Sequence, residues 1–99
     1  MTEATDKDAF ERVLEKCMRR FAHAVAETSS EFVVHTSQTA REQFRNAVGH
    51  LLSLNVEVSR LEAYVKAVGA TIRGDVPVDL IEFVRAELSA EMEAIIQMR

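Results

Sequence analysis

Three histidines, one cysteine and two clusters of charge are the residues of this 99-residue chain that could do chemistry. Cys17 lies in "VLEKCMRRF". A nucleophilic thiol needs an exposed, electropositive setting that favours the thiolate. Cys17 instead falls on an apolar helical stripe, which predicts a buried core cysteine. His23, His35 and His50 form no metal-binding pair, and Glu31 with His35, four residues apart, is the one metal-like couple. A di-iron helical bundle would need two Glu-x-x-His motifs, so neither a metal nor another cofactor is expected. Arg12, Lys16, Arg19 and Arg20 make a basic helical face that His23 extends. It suits an acidic partner or a phosphate, but Glu11 and Glu15 balance it, and a solvated face is the favoured reading. Glu87, Glu91 and Glu93 read the same way. The chain has no Gly-rich phosphate loop, no nucleophile elbow and no Cys-x-x-Cys. Non-enzymatic work is therefore expected.

Composition narrows the class. The hydrophobic fraction is 47%, with three Gly and one Pro. That is too apolar for a disordered chain and too poor in loop-formers for much besides helix. A net charge of −4 does not favour direct contact with nucleic acid or an anionic membrane. The single cysteine leaves no internal disulfide framework and suggests a reducing compartment. "MTEATDKDAF" lacks the basic and apolar blocks of a secretory leader. No stretch reaches the roughly 20 apolar residues of a membrane span. An intracellular, single-domain helical protein over 1–99 is expected.

The elements that would position these residues follow from apolar spacing. Phe10, Leu14, Cys17, Phe21 and Ala24 recur at 4, 3, 4, 3, a helical stripe. Asp6 and Asp8 suit the positive end of that helix. In "ETSSEFVVHTSQTARE", Thr28-Ser29-Ser30-Glu31 and Thr39-Ala40-Arg41-Glu42 both fit the capping-box pattern. Phe32-Val33-Val34 resembles a short strand but has no partner strand, so the first helix is expected to run over about 6–35, with a break at 36–38. The second is expected over 39–73. Phe44, Ala47, Leu51, Leu54, Val58, Leu61, Val65, Val68 and Ile72 keep a 3-4 rhythm through it, the spacing of left-handed coiled packing. Val48, Leu52, Val56, Ala63, Ala67 and Ala70 form a second strip beside the first. Gly74, able to take a left-handed cap, and Pro77 end it. A third helix over 77–98 carries Ile81, Val84, Leu88, Met92 and Ile95, widened by Leu80, Phe83 and Ile96.

A helix of about 33 residues is roughly 50 Å long, longer than a 100-residue globule is wide. The expected fold is an elongated antiparallel helical bundle or hairpin of three main helices with coiled-coil packing. Its double apolar strip exceeds what two shorter helices cover. Val48, Leu52 and Val56, with the basic Arg12, Lys16, Arg19 and Arg20, are the expected interface to protein partners or to a second copy. The function that follows is a helical subunit or adaptor in a multi-protein assembly. A self-contained helical module that binds one protein or small ligand is the other reading.

The stretch "VPVDLIEFV" after an apolar-seam helix resembles subunit 10 of the transcriptional Mediator complex. That family has a Phe-led first helix, a seam helix, then Val-Pro, an aliphatic, and an aromatic–aliphatic pair. Phe10, Val76, Pro77, Leu80, Phe83 and Val84 match it, and Arg85-Ala86-Glu87-Leu88 stands where the family continues Gly-Arg-Asn-Pro. The head segments of Mis12-complex kinetochore subunits are a looser likeness. Both imply a small non-catalytic helical subunit held by coiled contacts. The first implies a transcription-related, nuclear setting; without it a cytoplasmic one is expected.

Overall fold

The computed structural model describes residues 2–27, 30–74 and 76–98, with side chains from residue 7 onward except those of Ser30 and Phe32. Its α-helices are α1 (Thr2–Glu27), α2 (Ser30–Ser53), α3 (Val58–Thr71) and α4 (Val78–Gln97). A 3-10 turn over Ile72–Gly74 extends α3, and no described residue is in a strand. The all-α expectation holds. Three helices become four because two boundaries fall elsewhere.

The stripe of α1 is buried as its spacing requires: Phe10, Leu14, Cys17, Phe21 and Ala24, with Met18 and Ala22 beside it. The helix expected over 6–35 ends at Glu27. A new helix, α2, starts at Ser30 with Glu31 in its first turn. The first capping box sits at this junction, though Thr28 and Ser29 lie outside the described residues. The expected break at 36–38 is absent, since α2 runs unbroken from 30 to 53. Thr39, read as a cap, donates its hydroxyl to the His35 carbonyl at 3.2 Å. A mid-helix threonine bonded back one turn in this way is not a helix start. Cys17 lies against Gln43, and Arg41 lies over Phe21. α1 and α2 therefore form an antiparallel hairpin.

The helix expected over 39–73 is divided at Leu54–Glu57. Asn55 takes φ 64°, the left-handed conformation. The Val56 N–H donates to the Leu51 carbonyl at 3.2 Å and the Asn55 N–H to the Leu52 carbonyl at 3.0 Å. This pair of bonds is the Schellman closure of a helix C-terminus, and asparagine is the residue after glycine that best tolerates it. The accompanying apolar contact is supplied by Val56, which packs against the core. Leu54 and Val58, on the predicted seam, are each 43% exposed. Gly74 is not a left-handed cap, because no described glycine has positive φ. The Ile72 N–H instead bonds the Val68 carbonyl and the chain leaves through the 3-10 turn. Asp75 lies outside the described residues. Pro77 takes the N-cap position of α4 with φ −54°, and its carbonyl accepts the Ile81 N–H at 3.1 Å.

α4 buries Ile81, Val84, Leu88 and Met92, as its stripe predicts. α1 and α4 each pack on the other three helices, and α2 and α3 flank that pair. Two ion pairs advance together along α2 and α4, Arg41 with Glu87 and Arg45 with Glu91, so these helices run parallel. At the close approach of α3, a Cβ on Gly69 would meet Met18 Cε at 3.4 Å and Ile81 Cγ2 at 3.5 Å. The molecule measures 40 × 29 × 18 Å with a Cα radius of gyration of 13.1 Å, the value of a compact domain of about 100 residues. The expected rod is thus corrected: the turn at Asn55 folds the long seam back on itself.

Candidate functional site

Each residue proposed for chemistry has a definite place. Cys17 is fully buried. Its thiol approaches Gln43 Oε1 at 3.7 Å. Burial pushes the Cys17 pKa from its ordinary 9.0 up to about 11, against the opposing pull of Arg20 and Lys16. A thiol so held is protonated at neutral pH and a poor nucleophile. His23 lies exposed on α1, and His35 and His50 lie exposed on α2, fifteen positions apart. Among the described residues no three of His, Cys, Asp and Glu converge to hold a metal ion, and no helix is long and apolar enough to cross a membrane.

The predicted interface splits. Val48 and Leu52 are buried in the chain's own core and Val56 packs partly against it, so this strip is covered internally rather than open to a partner. The reason is the fold-back at Asn55, which brings α4 against α2. The basic residues do lie outside: Arg12 and Lys16 are exposed, and Arg19 and Arg20 are half-buried. Arg19 pairs with Glu15 at 3.5 Å. The C-terminal acids are not all free in solvent as read. Glu87 accepts from Arg41 Nη2 at 2.7 Å, and Glu91 pairs with Arg45 Nε at 3.2 Å; Glu93 is exposed.

Two exposed apolar side chains come together where α2 and α4 begin. Val34 is 59% exposed and Phe83 48%. They share a groove of about 360 Å³ with Val25, Val33, Arg41 and Glu87. Its floor is Phe21, over which the Arg41 guanidinium carbon stands at 5.3 Å. Arg41 is thus held by a ring on one side and a carboxylate on the other, a cation–π contact plus an ion pair, and it forms a polar edge to an apolar trough. Isolated exposed apolar residues are ordinary; Val34 and Phe83 instead share one trough. The sequence carried a signal for this surface in the Phe32–Val34 triplet and in Phe83, which fell at the margin of the α4 stripe.

A second groove, about 440 Å³, runs between α1 and α2. Phe10, Val13 and Ala47 give it an apolar floor, and Lys16, Gln43, Asn46 and His50 line its rim. Among the described residues no carboxylate lines it. Both grooves are open troughs between helices. Comparison with known proteins gives no matching family model, no matching curated protein and no matching solved structure.

Proposed function

We propose that this chain is a non-catalytic helical subunit or adaptor that joins a multi-protein assembly by receiving a partner's helix in the Val34–Phe83 trough. The supporting observation is the exposure of Val34 and Phe83 in one groove whose edge is the Arg41–Glu87 pair. An amphipathic helix fits such a trough with apolar residues at i, i+3, i+4 and i+7. An apolar anchor in a pocket contributes more to binding than the rim around it. Val76, Leu80, Phe83 and Val84 belong to the stretch that resembles Mediator subunit 10. On that likeness the assembly is transcription-related and nuclear; otherwise it is cytoplasmic. Val76 and Val84 are buried and Leu80 is half-buried, whereas Pro77 and Phe83 are exposed, Phe83 as the member of the pattern that lines the trough.

The test is affinity capture from native cells with the unmodified chain and with a Val34→Glu, Phe83→Glu variant. Both substituted positions are solvent-exposed, so the variant should keep its helicity and thermal midpoint. Partners retained by the first and lost by the second support the reading; the same partners on both, or none on either, overturn it. A second reading is a self-contained module that binds one small ligand or peptide in the α1–α2 groove. The Phe10, Val13 and Ala47 floor with Lys16 and His50 on its rim favours an occupant that is apolar and anionic. Protection of Val13 and Ala47 by an added ligand, with Val34 and Phe83 unaffected, would select it.

A further inference from the structure

The 3-4 rhythm of the seam does not lose phase across the turn that divides it. Leu51, Leu54, Val58 and Leu61 are spaced 3, 4, 3. Leu51 and Leu61 are buried, whereas Leu54 and Val58 are each 43% exposed. A turn needs no such phase; random turn residues would break it. The segment that interrupts the helix is four residues, Leu54–Glu57. Its closure depends on one non-glycine residue in the left-handed region, Asn55 at φ 64°. Moving this segment to helical angles, Asn55 and the extended Glu57 at φ −68° and ψ 146° included, would join α2 to α3 as one helix over 30–71, about 63 Å long at 1.5 Å per residue. Leu54 and Val58 would then lie in line with the buried seam on either side.

We infer that Leu54–Glu57 is a hinge through which two copies of this chain exchange their α3–α4 halves. In the exchanged dimer the contacts of the monomer re-form between chains. Tyr64 of α3, 5.6 Å from Phe10 of α1 between ring centroids, finds the Phe10 ring of the second copy. Arg45 and Glu91, paired at 3.2 Å, pair across chains. The one new contact is at the opened hinge, where Leu54 and Val58 of the two copies face each other along a coiled seam. Exchange of an identical element needs no new surface beyond the hinge, and short hinge loops under strain are where it occurs. This inference concerns a second copy and is independent of the Val34–Phe83 trough.

Substitutions at the hinge, read by light scattering after refolding over a range of concentrations, test it. Asn55→Ala disfavours the left-handed turn and favours helix, while Asn55→Gly keeps the turn. The dimer fraction of Asn55→Ala should exceed that of Asn55→Gly by roughly five-fold or more at the same concentration. Leu54→Asp with Val58→Asp, added to Asn55→Ala, should return it to monomer. Both side chains are exposed in the monomer, so the monomer survives the change. Exchange itself is read by co-refolding two chains, one Arg45→Cys and the other Glu91→Cys, each with Cys17→Ala. A short bis-maleimide should then link the two chains in the dimer fraction. Equal monomer content in both Asn55 variants overturns the inference. So does a dimer that Leu54→Asp and Val58→Asp leave intact, or one that gives no interchain cross-link.

Discussion

Leu51 and Leu61 on one hand, Leu54 and Val58 on the other, belong to one unbroken apolar pattern. The first two are buried and the second two are each 43% exposed. The difference is not in the side chains, which are of the same kind. It lies in the backbone of Asn55, where two hydrogen bonds from Asn55 and Val56 to Leu52 and Leu51 close the end of α2. Periodicity states which positions would share a face if the helix continued. Whether it continues is decided locally, by the left-handed Asn55 and the extended Glu57, a matter of about 1–2 kcal/mol for the left-handed residue. Here that small difference decides between a rod and a compact four-helix body, because α3 and α4 can bury their stripes only after the reversal.

The sharpest way to break this comparison is to place the same charge at both kinds of position. Leu61→Asp buries an unpaired carboxylate and should lower stability by about 4 kcal/mol or more, read from the urea midpoint. Leu54→Asp, at a half-exposed turn position, should cost about 0.5 kcal/mol or less. Equal losses would return both residues to one buried seam. Cys17 extends the contrast to α1. Its thiol should react roughly a hundred-fold more slowly with maleimide in the native state than in denaturant. The folded pKa is raised, so the native state holds its proton after the unfolded state has lost it. Stability from this group is therefore complete below about 9 and falls as pH rises toward about 11. A Cys17→Ala variant should lack that component when the two alkaline unfolding curves are compared. Smaller effects sharpen the account of the turn. At micromolar concentration, where the monomer prevails, Asn55→Ala should cost about 1 kcal/mol and Asn55→Gly close to nothing. Gly49 is exposed within α2, and a Cβ there would meet nothing within 4 Å. Gly49→Ala should therefore stabilise by about 0.5–1 kcal/mol in thermal unfolding. Arg45→Ala removes a half-exposed ion pair and should change the midpoint by no more than about 0.5 kcal/mol.

Much of the fold is written in local pattern. The stripes of α1 and α4 could be assigned because each runs within one helix, and Cys17 could be placed in the core because it lies on such a stripe. The division at Asn55 was hidden because the turn keeps helical phase and uses asparagine where a glycine is the usual signal. The junction after Glu27 was hidden for the opposite reason. Two capping boxes were present, and nothing local ranks Thr28 above Thr39. The parallel pairing of α2 and α4 has no periodic signature at all, since Arg41 and Glu87 meet only through the path of α3 between them. For the same reason the burial of the second strip is not legible in the sequence. Periodicity alone makes Val48 and Leu52 a spare strip, whereas the folded chain buries both; it places Phe83 at the margin of the α4 stripe, whereas the fold sets it in the Val34 trough.

The shortness of the Leu54–Glu57 link also fixes how strongly each half of the molecule is tied to its own other half. Two halves joined by a short segment meet one another at an effective concentration on the order of millimolar. A separate copy competes only when its own concentration approaches that value. In dilute solution each chain closes on itself, whereas in a concentrated refolding mixture, or where many copies emerge together, partners arrive as often as the chain's own second half. Because opening again requires undoing the buried stripes of α3 and α4, the proportion of joined molecules would then record the concentration at which they folded rather than the one at which they are studied.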